Sequence, residues 1–146
     1  MSNKSKYLIQ GAIEPTMIAE SIAFHSKKKA IGAHQLFLGQ VREDTIEGKA
    51  IVGIEFSAYT DMAEAEIARL REACIVKYKL TCAHVLHSIG EVKTGELCFW
   101  VFVSSPHRSA AFDACRDLVD QIKNEVPLFG KELFEDGSYR WKKNKP

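Results

Sequence analysis

Hydrophobic and polar positions along this chain repeat with two periods, near two and near 3.6 residues, and each change of period marks a new element. Residues 7–13 (YLIQGAI) predict a first strand. Pro15 then suits the first turn of a helix that carries Ile18, Ile22 and Phe24 and is closed by the cations Lys27 to Lys29. Residues 31–41 predict a strand with His34, Leu36 and Leu38 on one face and Ala33, Gln35 and Phe37 on the other. The charged run 42–49 predicts a mobile loop, and in the strand predicted over 50–59 Val52, Ile54, Phe56 and Ala58 alternate with polar or small residues.

Thr60 or Asp61 is placed to cap a second helix, Asp61 and Glu64 having the spacing of a variant capping box. Ala63, Ile67, Leu70 and Cys74 form its buried stripe. Residues 80–87 predict a strand, 88–95 a turn-rich connection with two glycines, and 97–103 (LCFWVFV) a strand inside a sheet. The last helix is read from Phe112, Cys115, Val119, Ile122 and Val126, which step by three and four residues until Pro127 ends it. A tail of aromatic, glycine-containing turns follows, ending in lysines expected to be solvated. The order βαββαββα plus tail predicts one α+β domain over 1–146, mostly antiparallel, with helices on one face and a small extra subsheet.

Composition narrows the function only by exclusion. With 146 residues and a net charge of +1, the chain is long enough for a core without staples and has no charge excess that argues for nucleic acid or a membrane surface. No apolar leader or bilayer-length run is present, so a cytoplasmic protein is expected. Cys74, Cys82, Cys98 and Cys115 lack C-x-x-C spacing and read as buried thiols. His84 and His87 point to opposite faces of a strand, and His25 and His34 lack a companion at ligand spacing, so no metal is expected.

The chemistry gathers at the two ends of one stretch, Ser104 to Val126. Ser104, Ser105, Pro106, His107 and Arg108 lead into a helix start, where free backbone N–H groups, a guanidinium and an imidazole suit a phosphate or carboxylate. The alternative is that a serine caps the helix while His107 and Arg108 face water. Ser104 and Ser105 are too near His107 in sequence to make a hydrolase pair. Lys123 borders the apolar stripe at the other end, about 22 Å away by helical rise. Arg42 and Lys131 are further cations at the ends of apolar runs, each readable alone as a solvated charge.

Five blocks, 32–42 (GAHQLFLGQVR), 55–64 (EFSAYTDMAE), 87–96 (HSIGEVKTGE), 105–112 (SPHRSAAF) and 123–132 (KNEVPLFGKE), followed by Asp136-Gly137 and Trp141, resemble the catalytic subunit family of molybdopterin synthase. The resemblance implies an α/β hammerhead fold with an additional antiparallel β subdomain. It implies sulfur transfer from the thiocarboxylated C-terminus of a small ubiquitin-like subunit to cyclic pyranopterin monophosphate, giving the molybdopterin dithiolene, with no cofactor. It also implies a homodimer of large subunits inside a heterotetramer.

Carried over by position, Lys123 takes the place of the principal catalytic lysine, and Gln40, Val41, Arg42, His107, Arg108, Gly130 and Glu132 fall in the substrate-binding blocks. Two positions depart from the family pattern: Gly130 stands where a second lysine is expected, and His87 is followed by Ser88 rather than arginine. Either Lys131 supplies the missing cation as a second catalytic lysine, or the loop lacks it. If both ends of the last helix serve one pterin, the simplest geometry shares each pocket across a twofold axis. The alternative function is an inactive relative, or a non-enzymatic α+β module, that binds a small ubiquitin-like partner.

Overall fold

A computed structural model describes residues 5–143, so the end of the lysine-rich tail lies outside the described residues. The strands β1 (Leu8–Gln10), β2 (Ala33–Gln40), β3 (Thr45–Ile46), β4 (Lys49–Ala58), β5 (Cys82–Lys93), β6 (Leu97–Ser105), β7 (Leu128–Phe134) and β8 (Tyr139–Trp141) alternate with α1 (Pro15–His25), α2 (Thr60–Tyr78) and α3 (Arg108–Glu125). They run in the spatial order β2-β6-β5-β4-β7-β8, with β1 beside β5 and β3 beside β4. Every pairing is antiparallel except that of β1 with β5. The α+β expectation therefore stands, and β4, β7 and β8 with the short β3 form the extra subsheet.

Period-two alternation along β6 decides which helix covers which face. Phe99, Val101 and Val103 point into a core shared with Ala63, Ile67, Leu70 and Cys74 of α2 and with Leu118 and Ile122 of α3. Trp100 and Phe102 point the other way and meet Ile18 of α1. Helices thus lie on both faces, not one. The stripe expected in α2 is its buried set. In α3 the buried set is Ala111, Ala114, Cys115, Leu118, Val119 and Ile122, and Phe112 is 57% exposed, because small alanines rather than the phenylalanine let the helix sit close to β2 and β6.

Residues 88–95 are mostly strand, contrary to the expected turn. Cys82 to His87 pair with β6, whereas Gly90 to Lys93 pair with β4, so one long strand belongs to both sheet regions. Gly90, at φ 85°, lies where the pairing changes hands. A register shift between Ile51 and Gly53 inverts the facing at the start of β4, burying Ile51 and leaving Val52 exposed. The run 42–49 contains a small hairpin, β3 turning through Glu47 and Gly48, both at positive φ, into β4. Asp61 and Glu64 form no capping box: Tyr59 is the N-cap, and the Glu64 carboxylate accepts the backbone N–H groups of Lys6 and Tyr7. Cys74, Cys82 and Cys115 are buried free thiols, as expected, and Cys98 is half-buried.

Candidate active site

An apolar cavity opens at the seam where the two sheet regions share β5, beneath the C-terminal end of α3. Its volume is about 420 Å³, enough for a ligand of bicyclic size. Gln40, His87, Cys98 and Phe99 line the side of the main sheet; Phe56, Leu128, Phe129, Gly130, Trp141 and Lys142 line the subsheet; Ile122 and Lys123 come from α3. Lys123 is delivered here by the helical period: one residue past buried Ile122, it emerges at the edge of the apolar stripe. Its ammonium lies over the Phe99 ring, 5.5 Å from the centroid.

Burial, and then the neighbouring ammonium of Lys142, hold the Lys123 pKa below that of an ordinary lysine. His87 is buried between Phe56 and Phe99, with ring centroids 5.0 and 5.2 Å away. Desolvation, reinforced by the charges of Lys123 and Lys142, pushes its pKa down to about 4. The neutral ring donates from Nδ1 to the Ser88 carbonyl at 2.8 Å, which leaves Nε2 as an acceptor. Desolvation also raises the Cys98 pKa and keeps that thiol protonated. The cavity therefore combines two lysines with neutral, largely aromatic walls, an environment that attracts an anion and strengthens its interaction with each cation.

The other residues singled out from sequence divide into those at this cavity and those away from it. Gln40 and Gly130 line it. Gln40 also borders a shallow cleft containing Val41 and Arg42. Val41 itself is buried against Ile54, Phe56 and Val92 and secures the end of the strand. Arg42 is exposed and paired with Asp44 at 2.8 Å. Glu132 is buried and accepts a hydrogen bond from Arg140 Nε at 2.9 Å.

Lys131 is not at the cavity wall. On β7 it stands opposite Glu55 of β4 and Trp141 of β8, and alternation turns it to the face away from Gly130. Its ammonium lies 3.6 Å from the Glu55 carboxylate and 4.4 Å from the centre of the Tyr139 ring. Lys131, expected as a second cation, pairs with Glu55 and stands beside Trp141 of the cavity wall without itself lining the cavity. Lys142, expected to be a solvated tail lysine, lines it together with Lys123.

His107 and Arg108 sit at the opposite end of α3, exposed and outside the cavity. His107 is the N-cap and no side chain caps the helix, contrary to the capping alternative. Ser105 Oγ donates to the His107 carbonyl, and Ser104 Oγ bonds His34 Nδ1 at 2.7 Å, so neither serine pairs with the His107 ring.

The fold also overturns the separation of the histidines. His25 Nε2 lies 2.9 Å from His84 Nε2, and these atoms and the Cys82 sulfur fall within 4.8 Å of one another. Such a donor set can chelate a metal, but Lys28 lies 3.7 Å from Cys82 Sγ and the charges of Lys28 and Arg71 act on His84, opposing a dication. The cluster hydrogen-bonds α1 to the sheet on the face away from Lys123.

A family model described as MoaE protein matches residues 12–125. The molybdopterin synthase catalytic subunit of Pyrococcus abyssi is 34% identical over 136 residues, 93% of this chain and 90% of the relative. That of Thermoplasma volcanium is 40% identical over 110 residues, 75% of this chain and 80% of the relative. Among solved structures, molybdopterin synthase from Staphylococcus aureus matches with a TM-score of 0.82 and 28% identity, covering 98% of this chain and 100% of that one. The complex of subunits 1 and 2 of molybdopterin-converting factor from Helicobacter pylori contains a chain of the same fold, with a TM-score of 0.80 at 19% identity over 95% of this chain and 90% of that one. With a family model spanning most of its length and relatives above 30% identity aligned over three quarters of it or more, the chain belongs to the MoaE protein family.

Proposed function

We propose that this chain is the catalytic subunit of a molybdopterin synthase, a sulfurtransferase that moves sulfur from the thiocarboxylated C-terminus of a small ubiquitin-like subunit to cyclic pyranopterin monophosphate. The observation that carries the reading is Lys123, a partly desolvated amine in a cavity with aromatic walls. The reaction brings an anionic tail against a phosphate-bearing pterin, and cations in a water-poor cavity offset their repulsion. A lysine of lowered pKa also supplies more neutral amine at a given pH than an ordinary lysine, able to carry protons or to attack the spent acyl tail.

In this reading Gln40 forms part of the wall, Gly130 leaves room for the ligand, and Arg42 binds phosphate from the adjoining cleft. Val41 and Glu132 support that edge from behind, Val41 by its burial and Glu132 through its bond to Arg140. His107 and Arg108, about 22 Å along α3 from Lys123, serve the pocket of the twofold mate, so the working unit is a dimer of large subunits with a small subunit at each end. Such an assembly is expected to work in the cytoplasm; among the described residues no helix is long and apolar enough to cross a membrane.

The test is to combine the protein with pyranopterin, with and without thiocarboxylated small subunit. Product that requires the small subunit supports the proposal. Binding without product identifies an inactive relative, and indifference to the small subunit identifies a family member that has lost this partner.

A further inference from the structure

Position 130 puts a gap in the cavity wall. The strand β7 turns Gly130 toward Phe56 and the cavity, yet glycine has no side chain to offer there. The next strand fills that place from the side. Lys131 pairs with Trp141, so the following residue, Lys142, arrives beside Gly130, and its backbone N–H donates to the Gly130 carbonyl at 2.8 Å. A Cβ built on Gly130 would stand 3.6 Å from the Cβ of Lys142. The two positions are thus adjacent on one face, and a lysine rooted at either reaches the same space.

We propose that Lys142 is the second catalytic cation of the Lys123 pocket, contacting the anionic group of the reacting pair from the place that Gly130 leaves open. The proposal rests on the synthase reading above and adds a residue to it. Lys142 and Lys123 converge from a strand end and a helix end, so an anion between them is held from two sides. Lys131, the nearer candidate in sequence, is paired with Glu55 and lies over the rings of Tyr139 and Trp141. Both effects of Lys142 already described, on Lys123 and on His87, require its ammonium to be felt inside the cavity.

This makes Gly130 and Lys142 a compensating pair. Substituting Lys142→Ala should slow product formation by about 100-fold or more, the loss expected when one stabiliser is removed from an anion site. Lys142→Arg, which keeps the charge, should retain most of the rate. Gly130→Lys in the Lys142→Ala background should restore it from the neighbouring root, with Ile54 Cγ2 yielding a few tenths of an ångström to a Cβ built 3.1 Å away. The pH profile gives a reading that a merely structural role would not move. Lys123 is faced by Lys142, which opposes its protonation, and by Cys98 and Asp120, which favour it. Removing Lys142 therefore shifts the limb assigned to Lys123 toward higher pH.

The decisive set is wild type, Lys142→Ala, Lys142→Arg and the Gly130→Lys/Lys142→Ala pair, each assayed with thiocarboxylated small subunit and pyranopterin. A slow alanine variant with a shifted limb, rescued by arginine or by the lysine at 130, supports the proposal. An active wild type with an equally active Lys142→Ala overturns it, as does a slow variant that neither replacement rescues and whose limb stays in place. A wild type that makes no product with a competent small subunit defeats the synthase reading instead.

Discussion

The Lys123 ammonium stands 5.5 Å from the centre of the Phe99 ring, so the cation at the centre of the cavity rests on an aromatic floor rather than in bulk water. Desolvation there favours the neutral amine, and the Lys142 charge adds to it. Product formation should accordingly rise with pH through a limb lying below the ordinary lysine value of 10.5. Lys123→Arg, which cannot deprotonate in this range, should lose that limb and at least about 100-fold in rate. The check is a pH–rate profile of both proteins at saturating small subunit.

Stability should fall in acid for a reason that can be assigned to two side chains. Burial pushes the His87 pKa down to about 4 against 6.5 for an ordinary histidine; His84 is also lowered to about 4, but it is exposed and contributes less to the pH dependence. The unfolded chain therefore binds more protons between those values, so the contribution of these histidines to stability is fully present above pH 6.5 and is lost as pH falls toward 4. The melting temperature should drop by several degrees across that window, and His87→Gln should flatten its own share of the slope. An unchanged slope in His87→Gln and in His84→Gln would show that other groups control the acid limb.

Sharing of the pocket across a twofold axis has a sharp signature. Arg108→Ala and Lys123→Ala should each be nearly inactive alone. Mixed after subunit exchange, half of the dimers are hybrids, and each hybrid keeps one pocket with both residues intact. Activity should then recover to about a quarter of wild type. No recovery despite verified exchange would mean that both residues serve a pocket within one chain, and an active Arg108→Ala would mean that Arg108 serves none.

The turn that presents His107 and Arg108 depends on a close backbone approach. A Cβ at Gly32 would collide with the carbonyl oxygen of Pro106. That oxygen is main chain and has nowhere to retreat, because the Gly32 N–H is itself bonded to the Ser105 carbonyl at 3.0 Å. Gly32→Ala should cost roughly 1–3 kcal/mol in chemical denaturation. It should also weaken pterin binding without altering the Lys123 limb.

How much of this could be read beforehand depended on whether the controlling interaction was local. The α2 stripe Ala63, Ile67, Leu70 and Cys74 was legible because helical period alone fixes it. The facing of Val52 was not, since the register shift beside it arises from pairing with β7. Nor was the strand character of 88–93, which two different partner strands impose on a glycine-containing segment. The helical period placed Lys123 beside a buried stripe and the family resemblance gave it a role, whereas the place of Lys142 follows from the β7–β8 register, which no local pattern shows. His87 could be placed on a strand, but its burial between Phe56 and Phe99 required the seam between the two sheet regions.

The central claim, that Lys123 carries sulfur transfer in this cavity, is tested most directly by one turnover experiment. Lys123→Ala is assembled with thiocarboxylated small subunit, the complex is verified, and dithiolene formed from cyclic pyranopterin monophosphate is measured beside wild type. The predicted result is an intact complex that forms product at no more than about one hundredth of the wild-type rate. Product at the wild-type rate from the Lys123→Ala complex would contradict it.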